Sequence, residues 1–301
     1  MSTPLIYIVI LNTNRRDDTI ACLESLSNSI YSNFKVIVLD NKSTDGSVDA
    51  IRIAFPDVRI INLASNLGYA GNNNVGIEEA INLGADWILV LNEDTILDPD
   101  CLTELIQIGE SDPKIGVVGP MVYHHSEPDV IQSAGGILGK YWQSQHLGKN
   151  EEDHGQFNTP HSTEWISGCA ILVRKVAIEQ AGMLDANYFI YWEETEWCIR
   201  ISSMGWKIVH VPQAKIWHKG VQRDYQPSPS FTYYGTRNHL LTLYKHNAPF
   251  NAKIYTWFQV WRTLLSWSIK SKWRAKHEHR NAMWNGMIDY LRNRWGQRPA
   301  D

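Results

Sequence analysis

The sequence predicts an α/β fold: a mostly parallel central sheet with helices on both faces, followed by a C-terminal helical extension. Three observations carry that prediction. Aliphatic runs alternate with segments of helical periodicity along the first hundred residues, joined by short connections. One run, Trp87-Ile88-Leu89-Val90-Leu91, is apolar at every position, as in a central parallel strand buried on both faces. The last fifty residues change to helical spacing and to the opposite charge.

At 301 residues the chain can bury a full core. With 44% hydrophobic and 20% charged residues it falls in the globular class. Cys22, Cys101, Cys169 and Cys198 are widely spaced and form no CxxC pair, which argues for a reducing compartment and against structural zinc. The opening run Leu5 to Leu11 is too short to span a membrane and lacks a basic leader, so it reads as a strand. A cytoplasmic location is therefore expected. The net charge of −4 hides an asymmetry: residues 251–301 carry ten Lys or Arg against three acids, a net +7. The first 250 residues hold 18 basic against 29 acidic, a net −11. A basic tail on an acidic body points to an anionic surface as partner.

After the first strand, Asn12-Thr13-Asn14-Arg15-Arg16 leads into a helix with Ile20, Leu23 and Leu26 on one face. Phe34 to Leu39 is a second strand, ending in the polar cluster Asp40 to Ser47. A further helix and a short strand from Val58 to Leu63 precede Asn66-Leu67-Gly68-Tyr69-Ala70-Gly71-Asn72-Asn73, read as a loop. Its glycines allow a ligand close to the backbone, and its asparagines offer donors and acceptors. The next helix stops at Gly84, and the apolar strand follows it. From Gly116 to Gly168 the pattern loosens, as in long loops or hairpins built over one end of the sheet. Trp165 to Arg174 reads as a strand, Lys207 to Val211 as another, and Phe231 opens a helix. No GxGxxG opens the first helix and no GxxxxGK[ST] occurs, so dinucleotide-binding and P-loop readings lack their defining loops.

The apolar strand ends abruptly at Asn92-Glu93-Asp94. Open α/β sheets bind ligands at the carboxyl ends of their strands, and hard oxygen ligands there suit Mg²⁺ or Mn²⁺ beside a diphosphate. The plainer reading is that Asp94 starts a turn or caps a helix. Tyr191-Trp192-Glu193-Glu194-Thr195-Glu196 then sets three glutamates among aromatics, and Ile216-Trp217-His218-Lys219-Gly220 places a histidine after a strand.

These blocks resemble the inverting GT-A glycosyltransferases of family 2, most closely their rhamnosyltransferase-like branch. Six pieces occur in the family's order: Asp40 to Ser47, Asn66 to Asn73, Leu91 to Asp94, Ser167 to Ala170, Tyr191 to Glu196, and Trp217 to Gly220. The resemblance covers residues 5–245 and implies a GT-A (Rossmann-like) catalytic domain over 1–245, with 246–301 as a basic, Trp-rich helical tail. It implies a dTDP- or UDP-linked sugar as donor, with dTDP-L-rhamnose preferred and UDP-galactofuranose or a UDP-hexose open. Asp40 matches the carboxylate that reads the base, and Asn14, Asn66, Gly71 and Asn72 would line the nucleotide pocket. Asn92, Asp94 and His218 stand at the metal positions. Asn92 replaces an acid there, leaving ligation through its carbonyl, through water, or not at all. Glu194 stands at the catalytic base, where most members have aspartate, with Glu193 and Glu196 as competitors. Lys219 and Arg223 would close on the diphosphate.

That set makes chemical sense. A divalent ion neutralises the departing diphosphate, and a positioned carboxylate takes the acceptor hydroxyl's proton. One base without a second nucleophile predicts inversion. The implied acceptor is a glycan or a lipid-linked sugar. A nucleotidyltransferase would need a glycine-rich, basic N-terminal loop that is missing, and a non-catalytic nucleotide-sugar binder would not need Glu194.

In the tail, Ile254, Trp257, Phe258, Trp261, Leu264, Leu265 and Trp267 recur at helical spacing, followed by Lys270, Lys272, Arg274 and Lys276. Gln259 and Arg262 interrupt any membrane span. Two readings stand side by side: an interfacial helix on the inner face of the plasma membrane, or an aromatic face packed on the catalytic domain. No nucleic-acid recognition motif accompanies it, so nucleic acid is not expected as a partner.

Overall fold

In the computed structural model, residues 3–220 and 226–299 are described, and they build a ten-stranded mixed sheet between helical layers. The first half alternates as its periodicity predicts: β1 (Ile6–Asn12), α1 (Arg16–Ser27), β2 (Phe34–Asp40), α2 (Ser47–Ala54), β3 (Arg59–Asn62), α3 (Gly68–Asn82) and β4 (Trp87–Asn92). These four strands are parallel, with Asn12 paired to Asp40, Asp40 to Asn62, and Leu11 to Asn92. Each apolar run ends in a polar residue, so parallel pairing lines those residues along one edge of the sheet. That edge carries the site.

The second half is mixed. It runs β5 (Thr95–Leu97), α4 (Cys101–Ser111), β6 (Ile115–His124), β7 (Glu127–Ser133), β8 (Gly136–Leu138), β9 (Ser144–His146), β10 (His161–Ser162), β11 (Ala170–Arg174), α5 (Lys175–Ala181), α6 (Glu193–Ser203) and β12 (Lys207–His218). The strand order is β10-β12-β6-β11-β4-β1-β2-β3, with β5 on β12 and β7 on β6. β11 runs antiparallel between β4 and β6, while β12 is parallel to β6.

Alternation along β1 feeds two cores. Ile6, Ile8 and Ile10 pack with Leu23 and Leu26 of α1 and Leu102 and Leu105 of α4. Val9 faces Ile77 of α3, Ile178 of α5 and Trp197 of α6.

Three sequence expectations are corrected. The segment after Gly116 is not mainly loop: β6 is buried at all ten positions. Its apolar run was masked by Gly116, Gly119 and Pro120. A Cβ at Gly119 would collide with Ile166, and Pro120 sits where the β6–β12 register shifts, a bulge that tolerates its missing N–H. Gly71 and Asn72 belong to α3 rather than to a loop. The strand expected to end at Val211 continues to His218.

The tail forms α7 (Pro229–Lys245), α8 (Phe250–Ile269), a 3₁₀ segment (Ser271–Lys276) and α9 (His277–Leu291). Ser228 caps α7 by accepting from the Phe231 N–H, with Pro229 at the first turn. Tyr233 of α7 donates to Asp289 of α9 at 2.7 Å, and Gly286 lets the α9 backbone reach the Tyr233 carbonyl, where a Cβ would stand 2.5 Å away. Among the described residues no helix is long and apolar enough to cross a membrane.

Candidate active site

The turn after β4 brings Asp94 to β12, because β5 pairs antiparallel with β12 and sets Thr95 opposite His218. His218 Nε2 lies 3.1 Å from Asp94 Oδ1 and 3.3 Å from Asn92 Nδ2. On the far side of the ring, His218 Nδ1 donates to Gln132 Oε1 at 2.8 Å. That bond places a proton on Nδ1 and turns Nε2 toward Asp94. Both side chains are buried, and Asp94 Oδ1 has no well-directed hydrogen bond despite the short contact. Burial pushes the Asp94 carboxyl up, but His218 outweighs it and holds Asp94 below the usual carboxylate range. Neighbouring Glu93 is pushed up to about 7 by burial and by the Asp94 charge.

A carboxylate oxygen and an imidazole nitrogen 3.1 Å apart leave room for a shared cation in place of a proton between them. An octahedral ion with bonds of about 2.0–2.1 Å sets adjacent ligands about 2.9 Å apart. Gly220 keeps the approach open: a Cβ there would stand 2.6 Å from Asp94 Oδ2 and 3.2 Å from His218 Nε2. Among the described residues no three His, Cys, Asp or Glu side chains gather round one point. The protein thus offers a partial donor set, which fits an ion that keeps water and phosphate oxygens in its shell.

Glu194 lines the same cleft, a cavity of about 1020 Å³ lined also by Asn92, Asp94, His218, Gly220 and Trp192. The backbone leading to it is unusual. Phe189, Tyr191 and Trp192 take φ of +66°, +66° and +75°, each a conformation that costs a non-glycine residue about 1–3 kcal/mol. Two buried residues of α7 hold it there. Asn238 Nδ2 lies within 2.8–2.9 Å of the carbonyls of Tyr188, Ile190 and Tyr191. Arg237 Nη2 reaches the carbonyls of Asn187 and Tyr188 at 3.1 and 3.0 Å, and its Nε orients Asn238 by donating to Oδ1. The Trp192 ring stacks on His239 at 4.4 Å.

The three glutamates separate. Glu194 faces the cleft, and burial raises its carboxyl to about 6. Glu193 points into the protein with Oε2 unpartnered, held well above the usual range by burial and by Glu194. Glu196 meets Arg200, Lys245 and His246. Burial alone would raise it, but the hydrogen bonds from His246 and Arg200 bring it to about 2. Glu196 is an ion-pair hub of α6 and α7.

The remaining sequence-predicted residues shape loops along the sheet edge. Asp40 accepts from Asn12 Nδ2 at 3.0 Å and from the Ser43 N–H at 3.1 Å. Asn14, at φ +52°, accepts from the Thr44 N–H at 2.7 Å and ties that loop to β1. Asn66 accepts from the Gly68 N–H and Asn72 Nδ2, while Asn72 Oδ1 accepts from the Leu67 N–H. Gly71 makes room for Leu67, whose Cβ would lie 2.6 Å from an added one. Lys219 Nζ meets Asp18 of α1 at 2.9 Å. Arg223 lies outside the described residues. The structure therefore gathers Asn92, Asp94, His218 and Glu194 in one cleft; Asn66 instead lines a neighbouring pocket with Tyr191 and Tyr234.

Sequence reasoning missed several contributors. Gln132 reaches His218 only through the β6–β7 pairing, and no local signal marks it. A glycine two residues after the histidine was a usable signal for Gly220. Arg237 and Asn238 act as a clamp only because α7 packs over the carbonyls of residues 187–191. Trp267, Lys276 and His279 of the tail line the cleft as well.

Comparison with known proteins decides the family. Residues 7–182 match the profile described as Glycosyl transferase family 2. The chain belongs to that family. The transferase is 28% identical over 269 residues to the N-acetylglucosaminyl-diphospho-decaprenol L-rhamnosyltransferase of Mycobacterium tuberculosis, covering 82% of this chain and 83% of the relative. It is 24% identical over 256 residues to a dTDP-rhamnosyl transferase of Shigella flexneri, covering 81% of each. Among solved structures, a Pyrobaculum calidifontis mannosyltransferase in complex with GDP-Man and Mn²⁺ superposes with a TM-score of 0.60 at 14% identity, covering 97% of this chain and 88% of that one. The transferase thus has a GT-A-like fold with added C-terminal helices.

Proposed function

We propose that this transferase moves L-rhamnose from dTDP-L-rhamnose to a hydroxyl of a glycan or lipid-linked acceptor, with inversion at the anomeric carbon. The observation that carries the reading is one cleft lined by both Glu194 and the Asp94–His218 pair. The named activities of the mycobacterial and Shigella relatives support the sugar, and the mycobacterial name supports a lipid-diphosphate acceptor. The catalytic unit is residues 1–245, with 246–301 as a tail at the inner face of the plasma membrane.

Asp94 and His218, with the Asn92 amide beside them, would hold Mg²⁺ or Mn²⁺, which when bound neutralises charge on the leaving diphosphate. Glu194 takes the proton from the acceptor hydroxyl as that oxygen forms its bond to the anomeric carbon and the bond to the diphosphate oxygen breaks. Among the described residues the carboxylates lining the cleft are Glu194 and Asp94, and Asp94 is engaged by His218, which favours a single inverting displacement over a covalent intermediate. Asp40, Asn14, Asn66, Gly71 and Asn72 shape the nucleotide side, and Lys219 and, outside the described residues, Arg223 are the cations for the diphosphate.

Thermal unfolding with dTDP or UDP, each with and without Mn²⁺, tests the donor site. A ligand at about 100 times its dissociation constant adds about 2.7 kcal/mol. A Mn²⁺-dependent shift with dTDP, followed by rhamnose transfer, is expected. No shift with either nucleotide would sink the reading.

A further inference from the structure

We infer that the outer face of α8 and the basic segment after it form a docking surface for an anionic lipid membrane, and that a membrane-borne acceptor enters the cleft across its edge. The second clause rests on the glycosyl-transfer reading; the first does not.

The tail's apolar residues do not form a single face. Ala252, Thr256, Val260 and Leu264 are buried against the protein. Phe250, Ile254, Phe258, Trp261, Leu265 and Ile269 are 52–77% exposed. At 3.6 residues per turn those six fall within an arc of about 100°, along a helix about 30 Å long. Six large apolar side chains in one exposed line exceed the scattered exposure normal for a soluble surface. The line broadens toward α9, where Trp284 meets Trp261 edge-on at 6.1 Å and a groove of about 320 Å³ opens between the helices.

Charge selects the occupant. From Phe250 to Lys276 the chain carries Lys253, Arg262, Lys270, Lys272, Arg274 and Lys276 and no acidic residue. A second copy of this face would bring the same uncompensated cations to the contact, whereas anionic headgroups supply the missing counter-charge beside an apolar interior. The cleft opens beside the C-terminal end of this surface: Lys276, at the end of the basic segment, lines the cavity that holds Glu194, and Trp267 lines it from the inward side of α8, opposite the exposed line. An acceptor whose lipid remains in the membrane can therefore enter the cavity past Lys276.

Flotation of the full chain tests the surface, using phosphatidylcholine vesicles with and without phosphatidylglycerol. Binding is expected only with the anionic lipid and is expected to be lost at about 1 M salt, where charges are screened within about 3 Å. The exposed pair Phe258→Glu and Leu265→Glu should lower partitioning by about 100-fold or more. Lys270→Ala with Lys272→Ala should lower it about fivefold per cation. Binding that survives both pairs overturns the assignment of this face. So does a wild-type protein that ignores anionic vesicles and is instead a dimer by light scattering, made monomeric by Phe258→Glu. A chain that floats but shows no Mn²⁺–nucleotide shift would remove the transferase reading and leave the docking surface standing.

Discussion

Asn238 donates to the Tyr191 carbonyl at 2.8 Å across 47 positions of sequence, and so fixes the backbone three residues before Glu194. The same amide reaches two further carbonyls, so the left-handed turn at Tyr191–Trp192 is held from the neighbouring helix rather than by its own residues. Truncation to Asn238→Ala would leave these buried carbonyls short of a donor, costing about 2–4 kcal/mol in urea unfolding. A small misplacement of a catalytic group costs far more rate than binding, so kcat should fall about tenfold or more while donor affinity moves less than about threefold. An unchanged kcat in a folded variant would reduce the clamp to a stabilising contact.

Glu194→Gln should lower transfer by about 10²–10⁴ while Mn²⁺–nucleotide binding persists. With the carboxyl raised to about 6, the base form is lost below that pH, so the wild-type rate should rise through pH 6 on its acid limb. The stability sign is opposite. A carboxyl raised above the ordinary 4.5 favours the folded state at low pH, and that contribution fades as pH climbs through about 6. Glu194→Gln should therefore melt above wild type at pH 8; melting below it would contradict burial as the cause of the shift.

Gly220→Ala should place a methyl beside Asp94 and His218 without backbone strain, since Gly220 does not use the left-handed region. The methyl must push the Asp94 carboxylate aside, so a loss of about 1–3 kcal/mol by urea unfolding is expected, with the fold retained. The Mn²⁺-dependent stabilisation by nucleotide should be lost. Retention of that shift would place the cation elsewhere.

Glu196→Ala tests the hub of α6 and α7. Removing the carboxylate leaves the mostly buried Arg200 without its charge partner, while Lys245 keeps Asp185, at a cost of about 3 kcal/mol. Here the folded pKa is depressed to about 2, so the contribution is full above the ordinary 4.5 and disappears as pH falls through 2. The gap between wild type and variant, read by urea unfolding, should narrow across that window; a constant gap would point to packing instead of charge.

Much of the sheet edge was legible because the code there is local. In β1, β2 and β4 an apolar run stops at Asn12, Asp40 or Asn92, and parallel pairing converts three separate stops into one line. β6 was illegible for the converse reason: Gly116 and Gly119 break the apolar run to make room for Trp206 and Ile166, which are remote in sequence. The three glutamates were recognisable as a cluster, yet neighbouring positions on α6 point to a cleft, a core and an ion-pair hub, which composition does not separate.

The sequence alone determined the α/β alternation, the polar strand ends, the acids at 94 and 194, and the basic, aromatic character of the tail. These depend on residue type and short-range period. Tertiary structure alone decided that Gln132 sets the His218 tautomer, that Arg237 and Asn238 hold the Glu194 approach, and that one line of α8 is buried while another is exposed. Those outcomes depend on which distant segments share a contact, and that is settled by strand register and helix packing across the whole chain.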